Sequence, residues 1–357
     1  MNVEDLGQGT RFNADGFDLL PQSGKVDPLP FVSVEARDLF VNPSKLSPGH
    51  HSGLLRFAQI NAKDRIEYAK LVCRQLKSGK VDLAATIMGG GTVFGIGKKD
   101  SNKMREVWHG SAVSQAAVSP LPPPHLVSPS AFLGLEASAA APLTISKRDG
   151  RCLFDQLRVP CQMRPYLGRP PVRVNDLIGT GKVSLYDIRR SGPSLGGVSG
   201  STLLYPRSRV WPMGFSWSSY VAQSTMASVC ASAGLCAHWQ LADDLMVPTG
   251  PTSFGLATDD IIIFSSKPEP YVRSLLGRLD RAFVRTGVQK HAGKDVDCAL
   301  NGTAVGVDLV NGLALFGNHG KLAVLIPAII ECLRRDMAAP LQIATSFCFP
   351  APYLSAP

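Results

Sequence analysis

The 357-residue sequence has few of the features that mark disulfide-linked, zinc-binding or membrane proteins. Its eight cysteines are scattered, form no Cys-x-x-Cys pair and have no histidine cluster beside them at zinc-ligand spacing. No apolar run reaches membrane-spanning length, because the longest, KLAVLIPAIIECL, is short and contains Pro327. The N-terminus has no basic-then-apolar targeting pattern. We therefore expect an intracellular protein with reduced thiols and no membrane partner, and leave open whether it is nuclear or cytoplasmic.

Acidic residues are also in the minority. The chain has 37 lysines and arginines against 28 aspartates and glutamates, which gives a formal net charge of +9. A basic excess of this kind favours a polyanionic partner, nucleic acid before an anionic membrane. The 27 prolines and 34 glycines predict many turns and irregular connections rather than a helical bundle.

Periodicity predicts several regular elements in a mixed order. Residues 54–76 and 268–287 have apolar residues at helical spacing, and a final helix is predicted over 321–336. TVFGIG and MREVWH predict two short strands joined by a polar turn, and a further hairpin is predicted to turn at Asn311–Gly312. Residues 1–53 have little periodicity and predict a poorly structured leader. This order indicates an α+β fold around an antiparallel sheet.

Two adjacent aspartates, Asp259 and Asp260, lie between strand-forming residues in FGLATDDIIIFSS. Neighbouring carboxylates raise each other's pKa unless a cation neutralises them, so a divalent metal is their natural complement. The alternative is an ordinary acidic turn between strands. A rival pair, Asp243–Asp244, fits a hairpin less well because Pro248 follows it closely. Two-metal chemistry needs another carboxylate from a neighbouring strand, and Asp149 follows the strand-like TISKR.

The order of these segments resembles the palm of a retroelement (retrotransposon-type) reverse transcriptase. RDGRCLFDQL, WPMGFSWSSYVAQ, ATDDIIIF and GKDVDCALNGTAVGVDL follow one another as that family's motifs do, and GKKDSNKMREV upstream is similar to its fingers hairpin. The resemblance covers roughly residues 86 to 335. The matching positions are Asp149, Phe154, Gln156, Pro212, Gly214, Ser218, Asp259 and Asp260.

The resemblance implies a polymerase right-hand palm, an antiparallel sheet backed by helices, with a fingers subdomain. It divides the chain into a leader (1–53), an N-terminal helix with fingers (54–145), a palm (146–318) and a truncated thumb with a tail (319–357). Residues 160–200 and 235–252 are expected to be irregular insertions in the palm.

The implied activity is RNA-directed DNA polymerisation by two-metal nucleotidyl transfer to a primer 3′-hydroxyl. The implied partners are an RNA or DNA template-primer and deoxynucleoside triphosphates, with two Mg²⁺ ions, or Mn²⁺, as cofactors. The catalytic and metal-binding residues would be Asp149, Asp259 and Asp260. The substrate-binding residues would be Lys98, Arg105, Gly150, Phe154, Gly214 and Lys294. The nucleic-acid-binding residues would be Arg164, Arg169 and Arg173.

The sequence departs from the family pattern at several positions. Ala257 stands where the family has tyrosine before the acidic pair, and EVWHG replaces the usual residues after the fingers strand. These departures keep two other hypotheses open, a catalytically inactive reverse-transcriptase-derived nucleic-acid-binding protein and a protein-interaction scaffold. The basic residues at 98–105 and 164–173 have a plainer interpretation as solvated loops, and Lys294 as a surface lysine.

Overall fold

The computed structural model describes residues 13–47, 64–98, 103–191 and 195–317. The α-helices in these ranges are α1 (Val34–Val41), α2 (Pro43–Leu46), α3 (Arg65–Ser78), α4 (Ser111–Ala116), α5 (Leu153–Gln156), α6 (Val174–Gly179), α7 (Leu185–Arg190), α8 (Ser218–Ser232) and α9 (Glu269–Thr286). The strands are β1 (Val81–Ala84), β2 (Thr92–Gly97), β3 (Met104–His109), β4 (Thr144–Asp149), β5 (Val172–Arg173), β6 (Leu203–Ser208), β7 (Gln240–Leu241), β8 (Thr252–Ala257), β9 (Asp260–Ser265), β10 (Val296–Ala299), β11 (Gly302–Ala304), β12 (Val307–Val310) and β13 (Ala314–Gly317). None of the helices in those ranges is long and apolar enough to cross a lipid bilayer.

The chain forms two compact units that do not follow the sequence continuously. Unit 1 contains Met1–Pro123, Cys152–Thr225 and Thr286–Gln289, and unit 2 contains Pro124–Arg151, Met226–Arg285 and Lys290–Pro357. The predicted palm range, 146–318, is therefore shared between both units. The predicted thumb and tail, 319–357, and the final helix at 321–336 lie outside the described residues.

The described part of the predicted leader contains ordered helices. Ser33 caps α1 by accepting a hydrogen bond from the Ala36 amide, as N-cap serines commonly do. Phe40 on this helix is buried, and its ring meets Trp211 and Trp217 edge-on at centroid distances of 4.7 and 5.2 Å. The expectation of a poorly structured leader therefore does not hold for residues 13–47. The helices there have eight and four residues, too few for a periodic apolar pattern to be visible.

Unit 1 is built from a three-stranded sheet with the order β1-β6-β5 and a two-stranded hairpin of β2 and β3. Helix α3 ends at Gly79, whose φ of +76° is the left-handed cap that glycine favours. Its apolar face joins a core that also contains Leu83, Leu177 and Leu204. The hairpin of β2 and β3 confirms the strands predicted from TVFGIG and MREVWH. Residues 160–200, predicted to be irregular, contain β5, α6 and α7, short elements that give no clear periodicity.

Unit 2 is organised around a five-stranded sheet with the order β10-β4-β9-β8-β7. All neighbouring pairs are antiparallel except β7 with β8. Residues 261–265 of β9 are all buried, which explains why residues 261–264 form a continuous apolar run rather than an alternating pattern. The mixed α/β architecture with several antiparallel sheets agrees with the predicted α+β class.

The remaining parts of unit 2 agree closely with local sequence patterns. Helix α9 buries one apolar face, formed by Val272, Leu275, Leu276, Leu279, Ala282 and Phe283. The predicted turn at Asn311–Gly312 joins β12 to β13, with both residues at positive φ. A second turn at Val305–Gly306 adds β11 to form a three-stranded sheet, where the sequence predicted a single hairpin.

Candidate active site

Two of the predicted carboxylates lie in one row across the central strands of unit 2. Strand β4 pairs with β9 so that Asp149 is directly opposite Asp260, and the β8–β9 hairpin places Ala257 opposite Asp260 on the other side. Asp259 lies in the two-residue turn between β8 and β9. Because the pairing runs without interruption from Thr144 to Asp149, the register of the sheet itself brings Asp149 to the acidic pair.

The turn that carries Asp259 has an unfavourable backbone conformation. Thr258 has a φ of +56°, which a β-branched residue adopts only against steric resistance. The primed turns that suit two-residue hairpins require a positive φ of this kind. The amide of Gly150 donates to the carbonyl oxygen of Asp259 at 2.8 Å, so the end of β4 is tied to the turn. Strained residues of this type cluster at functional sites.

The electrostatics of the acidic pair disfavour negative charge in the absence of a cation. Burial, together with the nearby charges of Asp260 and Asp149, raises the pKa of Asp259 to about 7. Burial also raises the pKa of Asp260, against the opposing effect of Lys147. Partly buried carboxyl groups held close together stay protonated to a higher pH than free ones unless a cation lies beside them.

Lys294 supplies one positive charge to this row. Its ammonium group donates to Oδ2 of Asp149 at 2.5 Å. The loop that carries Lys294 is bonded to the same strand end, because the amide of His291 donates to the carbonyl oxygen of Asp149 at 2.8 Å. Burial opposes the charge on Lys294, but the hydrogen bond to Asp149 outweighs it and raises the pKa of the lysine.

The carboxylates of the row are suitable ligands for a divalent cation. In this structure, however, they are not arranged as a complete ligand set. Carboxylate oxygens are the ligands that Mg²⁺ and Mn²⁺ prefer, and burial together with repulsion from Asp260 and Asp149 raises the pKa of Asp259, an effect that a cation would offset. Over the described ranges, however, no group of three or more histidine, cysteine, aspartate or glutamate side chains is arranged to hold a metal ion. Asp149 is engaged by Lys294 instead.

The rival pair lies elsewhere in unit 2 and does not replace Asp149. Asp243 accepts hydrogen bonds from Ser128 and Ser130 at 2.9 and 2.7 Å. Asp244 contacts Nδ1 of His125 at 3.0 Å. Both aspartates are exposed and follow β7, outside the row that contains Asp149 and Asp260.

The predicted substrate-binding residues divide between the two units. Gly150 and Lys294 belong to unit 2 with the acidic row, whereas Lys98, Arg105, Phe154 and Gly214 belong to unit 1. Lys98 forms an ion pair with Asp18 at 2.6 Å, and Arg105 is exposed on β3. Gly214 has a φ of +111°, and a Cβ there would lie 2.1 Å from the carbonyl oxygen of Trp108. Packing inside unit 1 is therefore enough by itself to explain why position 214 is a glycine.

One predicted nucleic-acid contact needs correction. Arg169 was expected to follow a template phosphate backbone, but it is fully buried in unit 1. Its guanidinium lies 2.9 Å from Glu106 and donates to Gln75 at 2.9 Å. Arginine can be buried at this depth because an acidic partner compensates its charge, and a sequence pattern does not reveal that partner. Arg164 pairs with Asp82 at 3.3 Å, and Arg173 is exposed.

Several charged residues beside the acidic row were not found from the sequence. Arg148 contacts Asp280 at 2.8 Å and Asp297 at 2.6 Å, and Lys290 contacts Asp280 at 2.9 Å. The sequence gives no sign of the role of Arg148 beside the predicted metal ligand Asp149, because its partners Asp280 and Asp297 are more than 100 positions away. Gln156, which matched the family pattern, exchanges hydrogen bonds with the backbone of Gln289.

Comparison with protein-family profiles and with curated protein sequences finds no match. The solved structures similar to this chain include two of foamy viral protease–reverse transcriptase. One, in complex with an RNA/DNA hybrid, has a TM-score of 0.51 and 13% identity, with 85% of this chain and 33% of that chain covered. The other, in complex with double-stranded DNA, has a TM-score of 0.52 and 13% identity, with 92% and 53% covered. The chain thus spans about a third to a half of those proteins and shares a reverse-transcriptase-like fold with them.

Proposed function

We propose that this chain is an RNA-directed DNA polymerase of the reverse-transcriptase type, from a retroelement. The observation that carries the proposal is the row in which Asp149 faces Asp260 with Asp259 in the adjoining turn. The fold shared with foamy viral reverse transcriptases supports it. The central sheet of unit 2 would belong to the palm and the β2–β3 hairpin to the fingers.

Asp149 and Asp259 would hold two Mg²⁺ ions, or Mn²⁺, with Asp260 assisting. When bound, such ions lower the pKa of an attacking hydroxyl and neutralise charge on the triphosphate. Asp149 and Asp260 lie at the ends of two paired strands. The sheet would therefore keep the spacing of these carboxylates constant during the reaction. Lys294 would leave Asp149 on ion binding, because both compete for the same carboxylate.

The other residues would bind and orient the substrates. Lys98 and Arg105 would contact the triphosphate from β2–β3, with the phosphates replacing Asp18 as the partner of Lys98. Lys294 holds a proton at Nζ, which it would donate to the leaving pyrophosphate. Phe154 would lie under the sugar and exclude a 2′-hydroxyl. Gly150 and Gly214 would contribute backbone without a side chain beside the incoming nucleotide and template.

Primer extension on an RNA template tests the activity. We expect Mg²⁺-dependent incorporation of deoxynucleotides by the unmodified chain, and a loss of at least about a hundredfold in Asp259→Asn, since removal of a metal-binding carboxylate weakens charge stabilisation. Asp244→Asn is the matched control, because it changes one member of the other acidic pair and should keep full activity. Equal extension by both variants, or none by the unmodified chain with Mg²⁺ or Mn²⁺, would reject the proposal.

A second function, non-catalytic binding of nucleic acid, is favoured by two observations. Asp149 is occupied by Lys294, and Ala257 lacks the aromatic ring expected beside the acidic pair. Fluorescence anisotropy with labelled RNA or DNA would then show salt-dependent binding without incorporation in the extension assay. Absence of such binding would leave the protein-interaction scaffold as the remaining hypothesis.

A further inference from the structure

A network of charged side chains lies behind the acidic row of unit 2. At its centre is Arg148, the residue before Asp149, whose side chain is only 3% exposed. Its guanidinium contacts Asp280 of α9 at 2.8 Å and Asp297 of β10 at 2.6 Å. A buried guanidinium of this kind needs acidic partners with good geometry, so α9 and β10 are both bonded to the strand that carries Asp149.

Lys290 extends this network to the loop that follows α9. Its ammonium lies 2.9 Å from Asp280 and also forms a short ion pair with Asp295. The backbone of Lys290 pairs with Gly150, the residue after Asp149. Burial opposes the charge on Lys290, but the hydrogen bonds to Asp295 and Asp280 raise its pKa. Hydrogen bonds from Arg148 and Lys290 likewise outweigh burial and lower the pKa of Asp280.

The loop held in this way carries Lys294. The amide of His291 donates to the Asp149 carbonyl, and the amide of Lys294 donates to the His291 carbonyl, both at 2.8 Å. The Lys294 side chain is 56% exposed, so its packing does not by itself hold it at Asp149. Its position depends on the path of residues 290–294.

We propose that Asp280 and Lys290 are positioning residues that hold the loop 290–294 on the end of β4 and thereby keep Lys294 beside the acidic row, in contact with Asp149 when no metal ion is bound. Their effect on catalysis rests on the proposed function, because it matters only if Lys294 donates a proton during nucleotidyl transfer. Their side chains pair with Arg148, Asp295 and each other rather than with the aspartates of the acidic row. Both act through the loop, and Asp280 acts through Lys290.

Hydrogen exchange at the His291 amide tests the positioning without any need for activity. In full-length protein labelled with ¹⁵N-histidine, Lys290→Met should raise the exchange rate of this amide about tenfold. The substitution removes the ion pairs with Asp280 and Asp295 that hold the loop 290–294 on β4, so the loop opens more often. Asp280→Asn should do the same to a smaller extent, and Lys290→Arg should restore slow exchange by bridging both carboxylates. Lys45→Met is the matched control, since it removes another lysine–aspartate pair, with Asp38 at 2.7 Å.

Activity supplies the second measurement. If the protein extends primers, Lys290→Met should lower kcat about tenfold with little change in the KM for the nucleotide, and Lys290→Arg should recover most of it. Unchanged exchange at His291 in both Lys290→Met and Asp280→Asn would overturn the positioning role. Faster exchange that Lys290→Arg reverses supports it, and an unmodified chain that shows no extension rejects the polymerase proposal while the exchange result still stands.

Discussion

Asp149 and Asp260 are directly opposed across the antiparallel strands β4 and β9, and each is the terminal residue of its strand. Like charges directly opposite each other destabilise a sheet. The opposition is relieved on one side, because Lys294 donates to Asp149 at 2.5 Å. The concentration of negative charge at these strand ends therefore lowers the stability of the sheet, as is common where a local rule is broken at a functional site.

The stability of the metal-free protein should depend on pH through Asp259. Its pKa is raised from the ordinary 3.8 to about 7, so between these pH values the folded state binds more protons than the unfolded state, and stability falls as pH rises. Between pH 5 and 8, we expect the unmodified chain to lose about 1–2 kcal/mol more than Asp259→Asn, a figure reduced for partial solvent screening. Urea unfolding at a series of pH values measures both, and parallel curves would contradict the assignment.

Divalent ions should compete with Lys294 for Asp149. Binding of Mg²⁺ or Mn²⁺ to the folded state alone raises the melting temperature. In Lys294→Met, which removes the competing ammonium, we expect the apparent Kd for Mn²⁺ to fall about three- to tenfold. Asp149→Asn should abolish the thermal shift, and Lys45→Met should leave it unchanged. Weaker Mn²⁺ binding in Lys294→Met would show that the lysine supports the ion rather than competing with it.

Glu106 should be important for the stability of unit 1. Its side chain is 6% exposed and lies between Lys80 at 3.2 Å and Arg169 at 2.9 Å. Glu106→Gln would leave these two cations without its negative charge, and should cost about 3–5 kcal/mol in the free energy of unfolding. Chemical denaturation measures the loss, and the exposed Glu136→Gln provides the control. A cost below that of the control would contradict this role.

The same residue predicts the response to acid. Burial would raise the pKa of Glu106, but Arg169 and Lys80 outweigh it and lower the pKa to about 2. The stabilisation from this carboxylate is therefore complete above its ordinary value of 4.5 and is lost as the pH falls toward about 2. Acid unfolding followed by circular dichroism should show the transition of Glu106→Gln at higher pH than that of the unmodified chain.

Gly214 should be more sensitive to substitution than Gly181 or Gly197 of the same unit. A Cβ at this position would lie 2.1 Å from the carbonyl oxygen of Trp108, at a φ of +111°. We expect Gly214→Ala to cost about 3 kcal/mol or more in unfolding free energy. Gly181→Ala, with a φ of +69° and open space around the Cβ, should cost about 1 kcal/mol. Gly197→Ala, which meets neither obstacle, should be neutral, and equal costs at all three positions would refute this order.

Elements defined by local patterns could be predicted from the sequence. The hairpin of β2 and β3, the strands on either side of Asp259–Asp260, helix α9 and the turn at Asn311–Gly312 all depend on short-range periodicity and turn residues. The proximity of Asp149 to the acidic pair was also expected, because Asp149 follows a strand-like segment, and the family resemblance strengthened this expectation. In contrast, α1 and α2 are too short to show a period and were missed.

Contacts between distant residues were decided only by the tertiary structure. The burial of Arg169 depends on Glu106, 63 positions earlier in the chain, and the pairing of Lys294 with Asp149 spans 145 positions. Residue types and spacing determined which strands, turns and helices form, because those are set by interactions over a few residues. Which charges meet, and whether a basic residue is buried or exposed, depended on how the strands and loops pack, because burial and ion pairing are properties of neighbours in space.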